Sequence, residues 1–185
     1  DPIIVVVPDA WAADPAVRRL AEASGAPIVT SEAFEAATFS EAHVIACGHM
    51  ANNAAVTRLY NARCCFVDTL FPGNGDYLLR SISDPLGYGR NAVVAGASSN
   101  AGLRDAMAQL TKIIETSDGV LGRVFASRLA NAPKPPQQVE LRELISEDLI
   151  TWDGGWIGSP FLSGRLRRYL WSHYLTDHEA WGPYS

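Results

Sequence analysis

Up to about residue 118 the chain alternates short apolar runs with amphipathic stretches, and that alternation restricts it to a sheet packed against helices. Ile3-Ile-Val-Val-Val7 is β-branched throughout and closed by Pro8, the pattern of a buried strand. Asp14-Pro15 then opens a helix, with an acid placed to cap it and a proline in its first turn; Val17, Leu20, Ala21 and Ser24 form its stripe and Gly25 ends it. Residues 27–30 and 42–47 read as the second and third strands, and Gly48 breaks the third. Asn52 or Asn53 caps a helix to about Tyr60, with Val56, Leu59 and Tyr60 inward. Residues 64–70 read as extended, Pro72-Gly-Asn-Gly75 as a turn, 77–82 as a strand, 84–89 as a loop and 91–95 as the last strand. Gly96-Ala-Ser-Ser-Asn-Ala-Gly102 joins that strand to a helix whose Leu103, Met107, Leu110, Ile113 and Ile114 keep one face apolar, and Asp118-Gly119 stops it. The expected fold class is α/β, an α+β mixed sheet with helices on its faces, occupying residues 1–118.

The pattern then changes. Ala132-Pro-Lys-Pro-Pro136 is proline-rich and extended, which places a linker over residues 119–140. No strand-like run is evident beyond it. Residues 141–150 are weakly helical, 152–160 form a loop, and Ser163 or Gly164 begins a helix with Leu166, Tyr169, Leu170, His173 and Tyr174 on one side. Trp171 and Trp181 add aromatic surface that a lone helix cannot bury. Residues 141–185 are therefore expected to be a C-terminal all-helical extension, the start of a larger helical domain supplied downstream or by a partner chain.

Charge and cysteine usage exclude several functions. Fifteen basic residues against twenty acidic ones leave a net charge of −5, so the chain lacks the electrostatic basis for nucleic-acid binding. The longest purely aliphatic run, Ile3 to Val7, is far short of the ~20 residues of a membrane helix. Cys47, Cys64 and Cys65 have no Cys-x-x-Cys spacing and read as two buried thiols and a spare; His43 and His49 near Cys47 do not complete a zinc set. No cofactor and no metal are expected. The chain opens on Asp1 rather than Met, so the lack of a secretory leader carries no information about compartment.

Five stretches carry residues suited to a site. The turn from Gly96 to Gly102 is where a phosphate can sit on free amides at a helix start. It matches neither Gly-x-Gly-x-x-Gly nor the P-loop pattern, and the chain has only Lys112 and Lys134. A plain strand-to-helix turn capped by Ser99 or Asn100 explains it as well. Gly48-His-Met-Ala-Asn-Asn53 is a similar turn in which His49 can act as acid or base, but no nucleophile–base pair is visible, and no catalytic residue can be named. Trp152-Asp-Gly-Gly-Trp156 is the most suggestive: two tryptophans flanking an acid on flexible glycines can stack on a sugar while the carboxylate takes its hydroxyls. Trp152, Asp153 and Trp156 are thus candidate carbohydrate-binding residues; the alternative is that both rings pack in a domain interface and Asp153 starts a turn. Side chains of Asp177-His178-Glu179 diverge on a helix and do not converge on one ligand, and Arg165, Arg167 and Arg168 read as a solvated or interdomain face.

Val44-Ile-Ala-Cys-Gly48, Asn52-Asn53, Tyr77-Leu-Leu-Arg-Ser-Ile82, Asn91-Ala-Val-Val-Ala-Gly96 and Asn100-Ala-Gly102, in that order, resemble the small α/β accessory domain that precedes the catalytic domain of large carbohydrate-active enzymes such as family 20 hexosaminidases and α-glucuronidases. The resemblance covers residues 1 to about 118. Tyr169-Leu-Trp-Ser-His-Tyr-Leu-Thr-Asp-His-Glu-Ala-Trp181 resembles a helix end of α/α-toroid enzymes of the heparinase-type lyase class, departing where Asp177 follows Thr176 without the usual glycine. Neither likeness carries over a catalytic residue. Together they imply a non-catalytic N-terminal accessory region of a glycoside hydrolase or polysaccharide lyase, with polysaccharide or oligosaccharide as partner and a secreted or periplasmic setting. The alternative expectation is a small-molecule or nucleotide-binding doubly wound domain using the turns at Gly48 and Gly96.

Overall fold

The computed structural model describes residues 1–117 and 122–131. They form a mixed six-stranded sheet with helices on its faces, the coarse architecture expected. The strands are β1 (Ile3–Val7), β2 (Ile28–Thr30), β3 (His43–Gly48), β4 (Tyr77–Ile82), β5 (Ala92–Gly96) and β6 (Phe125–Arg128). The helices are α1 (Pro15–Ser24), α2 (Thr38–Glu41), α3 (Ala54–Asn61) and α4 (Asn100–Glu115). The strand order is β2-β1-β3-β5-β4-β6; β1, β2, β3 and β5 run parallel, and β4 is antiparallel to both its neighbours.

The two-residue period of a strand sorts the side chains into two cores. Val5, Val7, Ile45, Cys47, Val93 and Ala95 face α1 and α4, meeting Val17, Leu20, Leu103, Met107 and Leu110. Ile4, Val6, Val44, Ala46, Ala92 and Val94 face the opposite side, where Val56 and Leu59 of α3 and Phe39 of α2 cover them. Phe34 and Phe39 meet edge to face, with ring centroids 5.5 Å apart. Burial on both faces explains why the strands read as continuous apolar runs.

The helix ends follow the local sequence. Asp14 Oδ1 accepts the Ala16 amide at 2.8 Å, Pro15 takes the first turn, and Gly25 closes α1 at φ 62°. Ser99 caps α4 by accepting the Gly102 amide. Of the two asparagines considered for α3, Asn53 is the cap, accepting from Ala55 and Val56. Its amide nitrogen donates to the carbonyls of Val6 and Cys47, both at 2.9 Å. One buried side chain thus ties β1, β3 and α3 together.

One expectation needs correction, and two local features were not foreseen. Residues 91–95 do not end the sheet: Phe125–Arg128, in the stretch read as linker, is β6, paired with β4. Residues 64–70, read as extended, join no strand of the sheet and form a loop whose Val67 and Cys65 are buried. Thr38–Glu41 forms the short α2, which no sequence pattern suggested. The expected helical extension over residues 141–185 lies outside the described residues.

Candidate functional site

In open α/β sheets ligands gather at the carboxyl ends of the parallel strands, where the order of winding reverses. Here β1 is followed by β2 on one side and flanked by β3 on the other. The two glycine turns singled out from sequence meet at this edge. Gly48 and Gly96 are register partners at the ends of β3 and β5, and the Ala97 amide donates to the Gly48 carbonyl.

The glycine positions on this edge are packed by the chain itself. Gly48, at φ 119°, faces Asn52 Oδ1, which would lie 2.6 Å from an added Cβ, and Pro8 Cγ at 3.2 Å. A Cβ on Gly96 would come closer than 3.0 Å to Val67, and one on Gly102 closer than 3.0 Å to the Asp76 carbonyl oxygen. Residues 67–76 therefore lie over the start of α4. Ser98 Oγ donates to the Gly73 carbonyl at 2.9 Å and accepts its amide at 3.1 Å, while Ser99 Oγ accepts the Gly75 amide at 2.8 Å. In a phosphate-binding turn glycines leave room for the ligand; here the room is filled by a side chain and a carbonyl.

The edge carries two acidic groups. Asp68 Oδ1 accepts the amides of Leu70 and Phe71, bending the loop before the cis Phe71–Pro72 peptide. Asp76 is fully buried; its Oδ2 accepts the Asn131 amide, and Oδ1 makes no hydrogen bond but lies 3.8 Å from Arg128 Nε. Arg128 also bonds Asp105 of α4 and the Gly75 carbonyl, and stacks on Tyr77 at 5.1 Å. This network fastens β6 and the residues after it to the closing loop. A buried carboxylate beside the α4 N-terminus is also hostile to a phosphate there.

His49 Nδ1 accepts the Ala51 amide at 3.2 Å, which puts the proton of the neutral ring on Nε2. Burial lowers its pKa, and the Asp68 carboxylate partly opposes that. Ser98 hydroxyl is committed to Gly73, so it is not a nucleophile awaiting His49. Cys47 and Cys65 are buried, with thiols pushed up to about 12 by desolvation, while Cys64 is half-buried and raised for the same reason; all three are free. Among the described residues no group of three His, Cys, Asp or Glu side chains is placed to hold a metal, and no helix is long and apolar enough to cross a membrane.

At the opposite, amino edge the described residues line a half-open pocket of about 510 Å³ beside the ends of α1 and α4. No sequence signal pointed to it, because it arises from where the helices stop. Trp152, Asp153 and Trp156, with Arg165, Arg167, Arg168, His173 and the Asp177–Glu179 triplet, lie outside the described residues. No family model matches the chain, and no curated protein matches it significantly.

Proposed function

We propose that this chain is the non-catalytic N-terminal accessory region of a multidomain carbohydrate-active protein, a glycoside hydrolase or polysaccharide lyase. The α/β unit is a rigid support for a helical catalytic domain, and Trp152, Asp153 and Trp156 contribute to glycan binding. The observation that carries the non-catalytic part is the closed carboxyl edge, where Val67 fills the space at Gly96 and the Asp76 carbonyl fills that at Gly102. The carbohydrate part rests on the resemblance of the element order and on the aromatic loop at 152–156. The same filled edge counts against the nucleotide-binding alternative, which needs those two turns open.

The test is an activity and binding screen of the full chain. Expected are no turnover of a panel of neutral and acidic polysaccharides, and oligosaccharide binding weakened about tenfold or more by Trp152→Ala with Trp156→Ala, the loss of two stacking contacts. Turnover abolished by Asp153→Ala would overturn the non-catalytic assignment. A melting temperature raised by millimolar nucleotide would favour the alternative, since a ligand of the native state stabilises it.

A further inference from the structure

The chain contains one Asn-Gly pair, Asn74-Gly75, and it sits in the turn that packs against the start of α4. An asparagine before glycine is chemically exposed, because glycine has no Cβ to keep its backbone nitrogen away from the preceding side-chain amide. The Asn74 side chain is exposed and makes no hydrogen bond among the described residues.

The fold holds this chemistry off in two ways. The Asp76 amide donates to the Gly73 carbonyl at 3.1 Å, Gly75 stands at φ 75° and Asn74 lies outside the left-handed region, which together define residues 73–76 as a type II turn. Closing a ring between Asn74 Cγ and the Gly75 nitrogen needs Asn74 Cβ eclipsed with that nitrogen about the Cα–C bond. The ψ of about 120° at the second residue of a type II turn sets the two about 120° apart instead. The Gly75 N–H also donates to Ser99 Oγ at 2.8 Å, so the attacking nitrogen is tied to the residue that caps α4. Ser98 Oγ fixes Gly73 beside it through both its amide and its carbonyl.

We propose that Asn74-Gly75 is a deamidation site gated by Ser99, latent while the turn is held and reactive when it opens, and that the reaction unfastens the carboxyl edge in one direction only. The Gly75 nitrogen loses its proton and bonds to Asn74 Cγ. The bond from Cγ to the side-chain nitrogen breaks, and ammonia leaves with that proton, giving a cyclic imide. Water then opens the imide. Cleavage at Cγ yields aspartate; cleavage at the backbone carbonyl yields isoaspartate, whose main chain runs through the side chain and is longer by a methylene. Water is the only co-reactant. The longer main chain carries the Gly75 N–H away from Ser99 and breaks the 73–76 turn. Either product also adds a carboxylate two residues before the buried Asp76, whose Oδ1 already lacks a hydrogen bond. This site is independent of the accessory-domain proposal.

The test follows Asn74 in the full chain by peptide mapping and mass spectrometry at mildly alkaline pH, folded and unfolded in guanidinium. Modification of the folded chain is expected to be about tenfold or more slower than that of the unfolded chain, since two hydrogen bonds must break to open the turn. Ser99→Ala, shown folded by circular dichroism, should raise the folded rate about fivefold, whereas Ser99→Thr, which keeps the hydroxyl and the cap, should leave it unchanged. Hydrogen exchange over residues 67–76 should be faster in the isoaspartyl fraction than in unmodified protein. Equal rates in the folded and unfolded chain, an unchanged rate in folded Ser99→Ala, or unchanged exchange after modification would overturn the proposal. If Ser99→Ala does not fold, the folded-to-unfolded ratio of the unaltered chain and of Ser99→Thr decides it.

Discussion

Replacing Gly102 by alanine tests whether the carboxyl edge is closed by packing. Helix propensity alone predicts a gain of about 1 kcal/mol for alanine over glycine in α4. The structure predicts the opposite sign. The new Cβ would meet the Asp76 carbonyl oxygen inside 3.0 Å, the Asp76 carbonyl carbon at 3.1 Å and the Ala97 Cβ at 3.2 Å. Two of these atoms are backbone, so no rotamer change relieves them. Overpacking costs about 1–3 kcal/mol, and a backbone obstacle puts this site at the upper end. The net expectation is a loss of about 2 kcal/mol. With a urea slope of about 2 kcal/mol/M, the midpoint falls by about 1 M. Hydrogen exchange of β3 and β5 peptides along a urea series reads that midpoint for the sheet itself. An unchanged or raised midpoint would mean that residues 67–76 yield cheaply and that packing at Gly102 does not close this edge.

Three further outcomes follow from named groups. Asn53→Ala removes a helix cap and leaves the Val6 and Cys47 carbonyls short of a donor, an expected loss of about 3 kcal/mol by chemical denaturation; a loss below about 1 kcal/mol would show the tie to be dispensable. In native protein at pH 8 a thiol reagent should label Cys64 first, with Cys47 and Cys65 reacting only on unfolding; equal labelling of Cys65 would contradict its burial. Because burial lowers the folded-state pKa of His49, the unfolded chain binds its proton more readily, so stability attached to this residue is full above the ordinary value of 6.5 and is lost as pH falls toward the folded value. An NMR titration of His49 should give a midpoint below 6.5, and His49→Gln should remove that part of the acid sensitivity; a midpoint at or above 6.5 would refute it.

The parallel half of the sheet was readable because β1, β3 and β5 are buried on both faces and α1, α3 and α4 carry their own caps, at Asp14, Asn53 and Ser99. β6 was not, for a physical reason. Phe125-Ala-Ser-Arg128 is an edge strand with Phe125 72% exposed, so burial imposes no apolar pattern on it; its conformation comes from the ladder with β4. The antiparallel direction of β4 is likewise a property of its neighbours. The turn at residues 72–75 was legible, but not its destination over α4, which depends on two glycines distant in sequence, Gly96 and Gly102, that accept Val67 and the Asp76 carbonyl. The glycines signalled a close approach correctly, yet sequence could not tell a ligand from the chain itself.

The Arg128–Asp76–Asp105–Asn131 network also has a mechanical meaning. β6 pairs antiparallel to β4, with Arg128 opposite Tyr77. Tension applied at Asn131 reaches this ladder first at its Arg128 end. The ion pairs to Asp76 and Asp105, the Asn131 amide on Asp76 and the Asn131 side chain on the Asn74 carbonyl all sit at that first rung. The rivets are therefore concentrated at the end of β6 that any load arriving through Asn131 meets first.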